Sequence, residues 1–405
     1  MHDSRNHEQM GRQNRAVILK AIQRMGAISR MDLAEAVGLS RPSVTRITGE
    51  LLDLGIICED PLGRPGRDQP QSVLRLNPEW GCAIGVSMVR HLSIGVTDLC
   101  GNRLATEMLL RDLDRNPSPR LGARVEELLR ENLARLLNEW GDRHVIGIGV
   151  ASGGFVDKRG VIRRYDLLGI ENMDLQKSLA SVTDLPVTTD TETRLLLRHA
   201  LLRPEHAHLQ NVVALAPGMC GEPGEAAMML DGRFFCGSNG MAGFGYLADR
   251  PAPDMPGVEE IGGRIRQLGG REKYIERLLK ADPEAVSIYR IVMEAYGRLA
   301  ALVANLLNPE AIFLFTPYGY PSMKEQVLSD IRKAMAPHME PFNAESLKVL
   351  FEGPRYEKGR LEAAAAAALT RFLEEGALEN GAREVASRSS DGEEQRTPVA
   401  IGEMA

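Results

Sequence analysis

Cysteine and long apolar runs are scarce in this chain, and each shortage argues against a class of protein. Only five cysteines occur in 405 residues, an odd and scattered set that argues against a disulfide framework and fits a reducing compartment. No apolar run is long enough to span a membrane, and the first ten residues are too polar for a signal peptide. We therefore expect a cytoplasmic protein without membrane contact.

The chain also lacks a strong net charge, but its charges are distributed unevenly. Residues 1–75 contain 11 of the 49 Lys and Arg residues and 9 of the 55 Asp and Glu residues, so this part is slightly basic and the remainder is acidic. The length exceeds that of one compact core, and two or three domains are expected. A basic first part on an acidic remainder suits a nucleic-acid-binding module joined to a second function.

Residues 14–58 predict three helices followed by the first strand of a wing, with a return strand at 72–76. Ser29 and Ser40 stand where their hydroxyls would cap the second and third helices, and Gly38 separates these two helices. Apolar residues at helical spacing are expected to face inward: Ile18, Ile22, Met25, Leu33, Val37, Val44, Ile47, Leu51 and Leu54.

This layout is typical of a helix-turn-helix, whose second helix can enter the major groove of DNA. A rotation of about 100° per residue leaves Thr45, Arg46 and Gly49 on the outer face. Arg46 would reach a guanine edge or a phosphate, and Thr45 a thymine methyl or a phosphate. Gly49 would permit close approach to the duplex. Arg41 and Ser43 in the first turn are candidate phosphate contacts.

The loop at 63–67 is the candidate wing. Its Arg64 and Arg67, held out by Gly and Pro, would enter a narrow, A·T-rich minor groove. The alternative is that the three helices form a protein-interaction domain and that the arginines are solvated surface.

Beyond Gly81 apolar strands alternate with helices, which favours an α/β fold. We expect a winged helix-turn-helix over residues 1–78 (the head), an α/β domain over 79–378 (the body) and a disordered tail over 379–405. The predicted body strands are Ala83–Thr97, Val145–Ala151, Val212–Ala216 and Ala311–Leu314. The predicted body helices are Val125–Trp140, Thr193–Leu202, Ser287–Leu307 and Leu361–Leu373.

The chain resembles the ROK family of repressors and sugar kinases over roughly residues 11–375. The head matches its repressor branch through Gly11-Arg-Gln-Asn14, Gly26-Ala-Ile-Ser-Arg30, Gly38-Leu-Ser40 and Gly63-Arg-Pro65. The body matches through Gly153-Gly-Phe-Val-Asp157, Leu185-Pro-Val187, Gly237-Ser-Asn-Gly-Met-Ala-Gly243 and Leu307-Asn-Pro-Glu-Ala311. The resemblance implies an actin-like ATPase fold of two α/β lobes around a cleft, and a dimer or tetramer.

The phosphate-binding loops that the resemblance implies are altered, although phosphoryl transfer needs Gly-rich turns whose N–H groups hold the phosphates. The family's Asp-x-Gly-Gly-Thr is replaced by Gly85-Val-Ser-Met-Val-Arg-His-Leu92. The second loop contains Glu222, which would repel phosphate, and Pro223, which lacks an N–H. The third reads Phe-Thr-Pro-Tyr-Gly after Leu314. We therefore expect no nucleotide cofactor and no enzymatic activity.

The family's catalytic base lies in Glu-Asn-Asp after Pro-Val, a position that Glu192 holds here, with Asp190 two residues earlier. A longer carboxylate alters the geometry on which a general base depends. The alternative is that Asp190 and Thr191 cap a helix that begins near Glu192, whose carboxylate favours the positive end of the dipole.

A family zinc site is not expected, since the segment Ala242-Gly-Phe-Gly-Tyr246 lacks the histidine and residues 247–266 contain no cysteine. Cys220 and Cys236 are interpreted as small buried residues. The candidate sugar contacts implied by the resemblance are Gly153, Gly154, Asp166, Asp190, Glu192 and Tyr246, each with a structural role as the alternative. Because these positions differ from the family's sugar-contact residues, we expect an unusual effector or no effector.

Three hypotheses follow from these patterns. The first is a sequence-specific DNA-binding regulator of carbohydrate-related genes, with repression favoured over activation. Its body would dimerise and sense a sugar or sugar derivative. The second is a regulator controlled by a protein partner rather than by a sugar. The third is a sugar kinase that keeps a regulatory head.

Overall fold

The computed structural model describes residues 2–62, 71–89, 91–111, 113, 120–216, 224–243, 258–315, 323–352 and 359–377. Helices and strands are numbered along the chain. The helices are α1 His2–Met25, α2 Arg30–Val37, α3 Arg41–Asp53, α4 Leu121–Glu139, α5 Leu175–Ser178, α6 Glu192–Leu201, α7 Val258–Gln267, α8 Arg271–Leu279, α9 Pro283–Leu307, α10 Lys324–Met335, α11 Pro341–Ser346 and α12 Arg360–Glu374.

The strands are short and fall into four sheets. They are β1 Ile57–Leu62, β2 Gln71–Leu76, β3 Gly81–Ser87, β4 Leu92–Asp98, β5 Arg103–Leu110, β6 His144–Ser152, β7 Phe155–Val156, β8 Ile162–Tyr165, β9 Ile170–Met173, β10 Val187–Thr191, β11 Val212–Ala216, β12 Glu225–Leu230, β13 Arg233–Phe234, β14 Ala311–Leu314 and β15 Lys348–Phe351.

The head is the predicted winged helix-turn-helix. Ser29 and Ser40 cap α2 and α3, and Gly38 ends α2 in the left-handed conformation with φ 65°. β1 pairs antiparallel with β2, and the backbone of Ile28 bonds Leu74 on the other edge of β2. The helices are thereby attached to the wing strands.

The body consists of two lobes, each built on a five-stranded sheet. The first sheet has the order β10-β6-β3-β4-β5, and the second has the order β13-β12-β11-β14-β15. In the first, β3 pairs parallel with β6 and antiparallel with β4; in the second, β11 pairs parallel with β14 and antiparallel with β12. The predicted α/β fold of two lobes is confirmed.

Two details differ from the sequence prediction. Met25 is 57% exposed, because α1 ends there and the chain turns away at Gly26; Leu19 is buried with Ile18 and Ile22 instead. The run Ala83–Thr97 is not one strand but the hairpin β3–β4. Its turn contains neither Gly nor Pro, so two adjacent apolar strands looked like one in the sequence.

Helix α12 packs on the first sheet at unusually short range. A Cβ on Gly149 would lie 1.7 Å from the carbonyl oxygen of Ala364, and one on Gly85 would lie 2.2 Å from that of Leu361. The facing side chains of α12 are alanines, so backbone approaches backbone. This close contact between the glycines of β3 and β6 and the alanine-rich face of α12 fixes the position of the helix.

The same helix joins the body to the head. Phe372 and Leu373 belong to the apolar cluster that contains Ile18 and Leu51 of the head. The ring of Trp80, at the junction, lies 4.4 Å from that of His144 and 5.7 Å from that of Phe372. The core is therefore continuous across the junction between the two domains.

No helix among the described residues is long and apolar enough to cross a membrane.

We predict that Gly149→Ala destabilises the protein by about 3 kcal/mol, the upper end of the usual cost of overpacking, because the added methyl would overlap the Ala364 carbonyl and force the helix off the sheet. Denaturant unfolding of the two proteins measures the difference. Gly263→Ala is the control: it lies within α7, where the only neighbour within 4 Å is the Arg266 side chain. A Gly149→Ala protein as stable as the control variant would contradict the packing described.

Candidate nucleic-acid interface and ligand cleft

Helix α3 presents a polar face to solvent and an apolar face to the head's core. Val44, Ile47 and Leu51 are at most 1% exposed, whereas Thr45 and Arg46 are exposed. The inward and outward faces of α3 are as predicted, except that Leu54 is only half-buried because it follows the last helical residue. The geometry permits α3 to meet a duplex with this polar face.

The other predicted contact residues on α3 lie around the same surface. Arg41 is exposed in the first turn, and Gly49 is half-buried, with open space where a Cβ would point. Ser43 is half-buried, and its hydroxyl lies 2.9 Å from that of Ser40. Ser43 thus also supports the helix start. Arg64 and Arg67 of the candidate wing lie outside the described residues.

A buried polar contact holds α3 in place. Thr48 is fully buried, and its hydroxyl donates to the Val44 carbonyl at 2.8 Å and accepts from Arg30 Nε at 3.3 Å. Arg30 also makes two hydrogen bonds, at 2.6 and 3.0 Å, to the carboxylate of Glu59 on β1. Arg30 thereby links α2, α3 and the wing sheet, a role that helical periodicity alone did not reveal.

Arg46 has an intrahelical partner in the structure. Its guanidinium pairs with Glu50 one turn later at 2.5 Å, and Arg15 of α1 lies 3.8 Å from the same carboxylate. The Arg46 side chain is 62% exposed, so this pair is screened by water and weak. Arg46 can exchange Glu50 for a base edge or phosphate at small cost.

Glu192, at the position where the sequence resemblance implies a catalytic base, is buried and paired. Its Oε1 forms an ion pair with Arg360 at the start of α12, and both side chains are at most 11% exposed. α6 begins at Glu192, as the helix-start alternative predicts, but the Thr191 hydroxyl makes no capping bond. Asp190 Oδ1 accepts from the Thr191 N–H at 2.8 Å instead. The carboxylate of Glu192 is thus held by a cation.

Arg194, two residues later on the same helix, is also buried. It is 3% exposed, pairs with Asp190 at 2.5 Å, and donates to the carbonyls of Gly240 at 2.6 Å and Val156 at 3.2 Å. The small cavity that Arg194 lines with Gly154 and Glu225 has a volume of about 10 Å³, the room that a single water needs. No sugar fits this space as it stands.

Glu225 at the rim of this cavity has an unusual environment. The residue is only half-buried, but its carboxyl end points away from solvent and accepts from the Thr193 hydroxyl at 2.8 Å. Desolvation, together with the nearby Glu192 carboxylate, raises the pKa of Glu225 to about 8. Glu225 therefore carries a proton through much of the neutral range.

The structure does not bring together all five of the candidate sugar contacts that it describes. Gly153 packs against Tyr165, since a Cβ on it would lie 2.6 Å from the phenol ring. Asp166 is on the surface, paired with Arg164 at 3.3 Å. Gly154, Asp190 and Glu192 lie in the region of Arg194, and Tyr246 lies outside the described residues. The ligand-binding role of each stays a prediction.

Most of the altered phosphate loops fall outside the part of the chain that the structure describes. Residues 217–223 and 316–322, which include Glu222, Pro223 and Cys220, belong to that remainder. Of the first loop, Val89 and His91 form part of the turn between β3 and β4. Cys236 is half-buried rather than buried.

Two family models match separate parts of the chain. Residues 84–247 match the model of the ROK family, and residues 13–57 match that of a winged helix-turn-helix DNA-binding family. A xylose repressor of Caldicellulosiruptor bescii is 22% identical over 348 residues, which cover 76% of this chain and 84% of that protein. The second match lies within the head, and the first lies within the N-terminal part of the body.

Two solved structures share the fold. A ROK family transcriptional regulator, a homolog of the E. coli MLC protein, aligns with a TM-score of 0.71 over 91% of this chain and 97% of the other, at 21% identity. A ROK family glucokinase from Streptomyces griseus, solved with glucose and AMPPNP, aligns with a TM-score of 0.55 over 71% of this chain and 98% of the other, at 18% identity. The body has the fold of these proteins.

We predict that Glu225→Gln flattens the dependence of stability on pH. The raised pKa means that the folded protein keeps a proton that the unfolded chain releases near its ordinary value of 4.5. The wild type therefore loses stability as the pH rises from about 4.5 to 8, whereas the amide variant has no proton to lose there. Thermal melts of the wild type and of Glu225→Gln, recorded between about pH 4.5 and 8, measure this difference in the pH dependence of stability.

Glu345→Gln, at an exposed position of α11, is the control and should leave the pH profile of the wild type unchanged. Parallel profiles for wild type and Glu225→Gln would show that Glu225 ionises normally.

Proposed function

We propose that this chain is a sequence-specific DNA-binding regulator of transcription, since residues 84–247 match the ROK family and residues 13–57 match a winged helix-turn-helix DNA-binding family. The exposed polar face of α3 carries this proposal. Its Thr45 and Arg46 project from a helix that is capped by Ser40 and anchored by the buried Thr48. A rigid helix with an exposed arginine is what major-groove readout requires.

The body serves as a sensing and dimerisation domain without phosphoryl transfer. The Glu192 carboxylate at the family's base position is engaged by Arg360, and the buried Arg194 lines a cavity with room for only a single water. A base that is buried in an ion pair cannot accept a substrate proton until that pair breaks, which would leave an uncompensated charge in the interior. The altered sequences of the phosphate loops support the same proposal.

Relatives named as repressors suggest the biological setting. The similar xylose repressor and transcriptional regulator support a repressor of carbohydrate-related genes that acts in the cytoplasm, where its operator lies. The protein would act as a dimer or tetramer on a roughly palindromic operator, because two heads related by a two-fold axis contact two half-sites. An effector would act through different affinities for two arrangements of the heads.

We predict that Arg46→Ala weakens binding to the preferred site by about 1–3 kcal/mol, because a bidentate contact to a base edge is lost. The wild type first selects its site from random-sequence DNA, and fluorescence anisotropy at fixed salt then measures both affinities. Arg332→Ala, which removes an exposed arginine from α10 in the body, is the control. Unchanged binding by Arg46→Ala, or equal loss in the control, would contradict the proposed role of α3.

We further expect calorimetry to detect no heat of binding for Mg-ATP and no sugar-dependent ATP hydrolysis, because the base is paired and the phosphate loops are altered. The Streptomyces glucokinase, assayed under the same conditions, is the positive control. Sugar-dependent turnover that disappears in Glu192→Gln would establish an active kinase instead.

A further inference from the structure

A larger cavity of about 690 Å³ opens beside the small one. Its walls are the strand β10 at the edge of the first sheet, the loop at 157–160, the segment at 234–237 and one face of α12. Arg194 lines both cavities, so the two spaces are neighbours. The volume is in the range of sites that bind small molecules.

The carboxylates that line this cavity are already engaged. Asp157 accepts from the N–H groups of Arg159 and Val161 and from Arg163 Nε at 2.8 Å, and these contacts lower its pKa against the opposing effect of desolvation. Asp190 is paired with the buried Arg194, and Glu374 pairs with Lys20 of α1 at 2.8 Å. The negative charges of the wall are compensated by the protein itself.

Two cations of the same wall are not compensated. Among the described residues, neither Lys158 nor Arg198 has a carboxylate within ion-pair distance, and both line the cavity. Arg198 is half-buried, and its guanidinium carbon lies 3.9 Å from the centroid of the Phe234 ring. This contact orients Arg198 but does not neutralise its charge. The cavity therefore has an excess of positive charge.

The remaining wall offers an apolar face. Phe235 is 50% exposed although it is a large apolar side chain, and it lines the cavity together with strand β10. An exposed aromatic ring beside cations suits a ligand that has a carbon framework as well as a charge.

We propose that this cavity binds a small organic anion, a phosphate ester or a carboxylate, whose charged group is held by Lys158 and Arg198 and whose carbon framework lies on Phe235. Guanidinium and ammonium groups bind both kinds of anion through charge-assisted hydrogen bonds. The site is distinct from the small cavity, since its anion-binding cations do not line that cavity.

The cavity is connected to the head through α12. Thr370, Arg371 and Glu374 line it, and Glu374 also forms the ion pair with Lys20 of α1. An anion held in this cavity adds negative charge to the space that Glu374 lines, and so alters the contact of Glu374 with Lys20 of the head. This second step, control of DNA binding by the anion, rests on the proposed function; the binding of the anion does not.

The binding step is tested with four probes: inorganic phosphate, glucose 6-phosphate, gluconate and neutral glucose. Isothermal titration at matched ionic strength compares the wild-type protein with Lys158→Met/Arg198→Met, which keeps apolar volume but removes both charges. Arg290→Met, an exposed arginine of α9 without an ion pair among the described residues, is the matched control.

We expect at least one anion to bind, about ten-fold or more weaker binding in the double variant, and wild-type binding in Arg290→Met. Tighter binding of glucose 6-phosphate would identify the ligand as a phosphate ester, and tighter binding of gluconate would identify it as a carboxylate. The proposal is overturned if no anion binds, if glucose binds as tightly as its phosphate, or if the double variant binds like the wild type. Circular dichroism and melting temperature establish that each variant is folded.

The coupling step is tested on the selected DNA site with and without the tighter anion. We expect the anion to change the DNA affinity of the wild type and of Arg290→Met, but not that of Lys158→Met/Arg198→Met. DNA binding that is unaffected by a bound anion would overturn the coupling alone. Loss of DNA binding in every condition would instead contradict the proposed function, while the titrations still decide whether the cavity is an anion site.

Discussion

The close packing of helix α12 on the first sheet is the contact on which the other features of this protein depend. Because Gly85 and Gly149 carry no side chain, the helix backbone lies directly on β3 and β6. From that position its other residues reach α1 of the head, Trp80 at the junction and the edge strand β10. A helix displaced by one methyl group would disturb all three contacts, since packed interiors have little free volume.

The carboxylates in the region of Arg194 are neutralised by ion pairing or by protonation. Three carboxylates that could have faced a ligand, Asp190, Glu192 and Glu225, are compensated by Arg194, by Arg360 and by a proton respectively. Each arrangement lowers the cost of burying a carboxylate. The two binding activities are placed elsewhere: at the exposed, weakly paired Arg46 on α3 of the head, and at Lys158 and Arg198 of the larger cavity, which have no ion pair among the described residues.

The sequence predicted how some candidate site residues are oriented, but not which residues they contact. The outward direction of Thr45 and Arg46 followed from helical periodicity, and Ser40 indicated the start of α3. The partners of these residues were missed: Arg30 reaches Thr48 and Glu59 from another helix, and Arg360 reaches Glu192 across 168 positions of sequence. Asp166 was grouped with the cleft by its place in the family pattern, yet it pairs with Arg164 at the surface.

By itself the sequence determined the elements whose signals are local: the caps and apolar stripes of the head, the alternation of strands and helices in the body, and the altered phosphate loops. Local signals suffice there because a cap or a stripe is completed by residues within a few positions. Only the tertiary structure decided which charges are compensated, that α12 joins head to body, and that a cavity opens beside β10. These depend on residues far apart in the chain, whose meeting is fixed by how the two lobes and the head pack together.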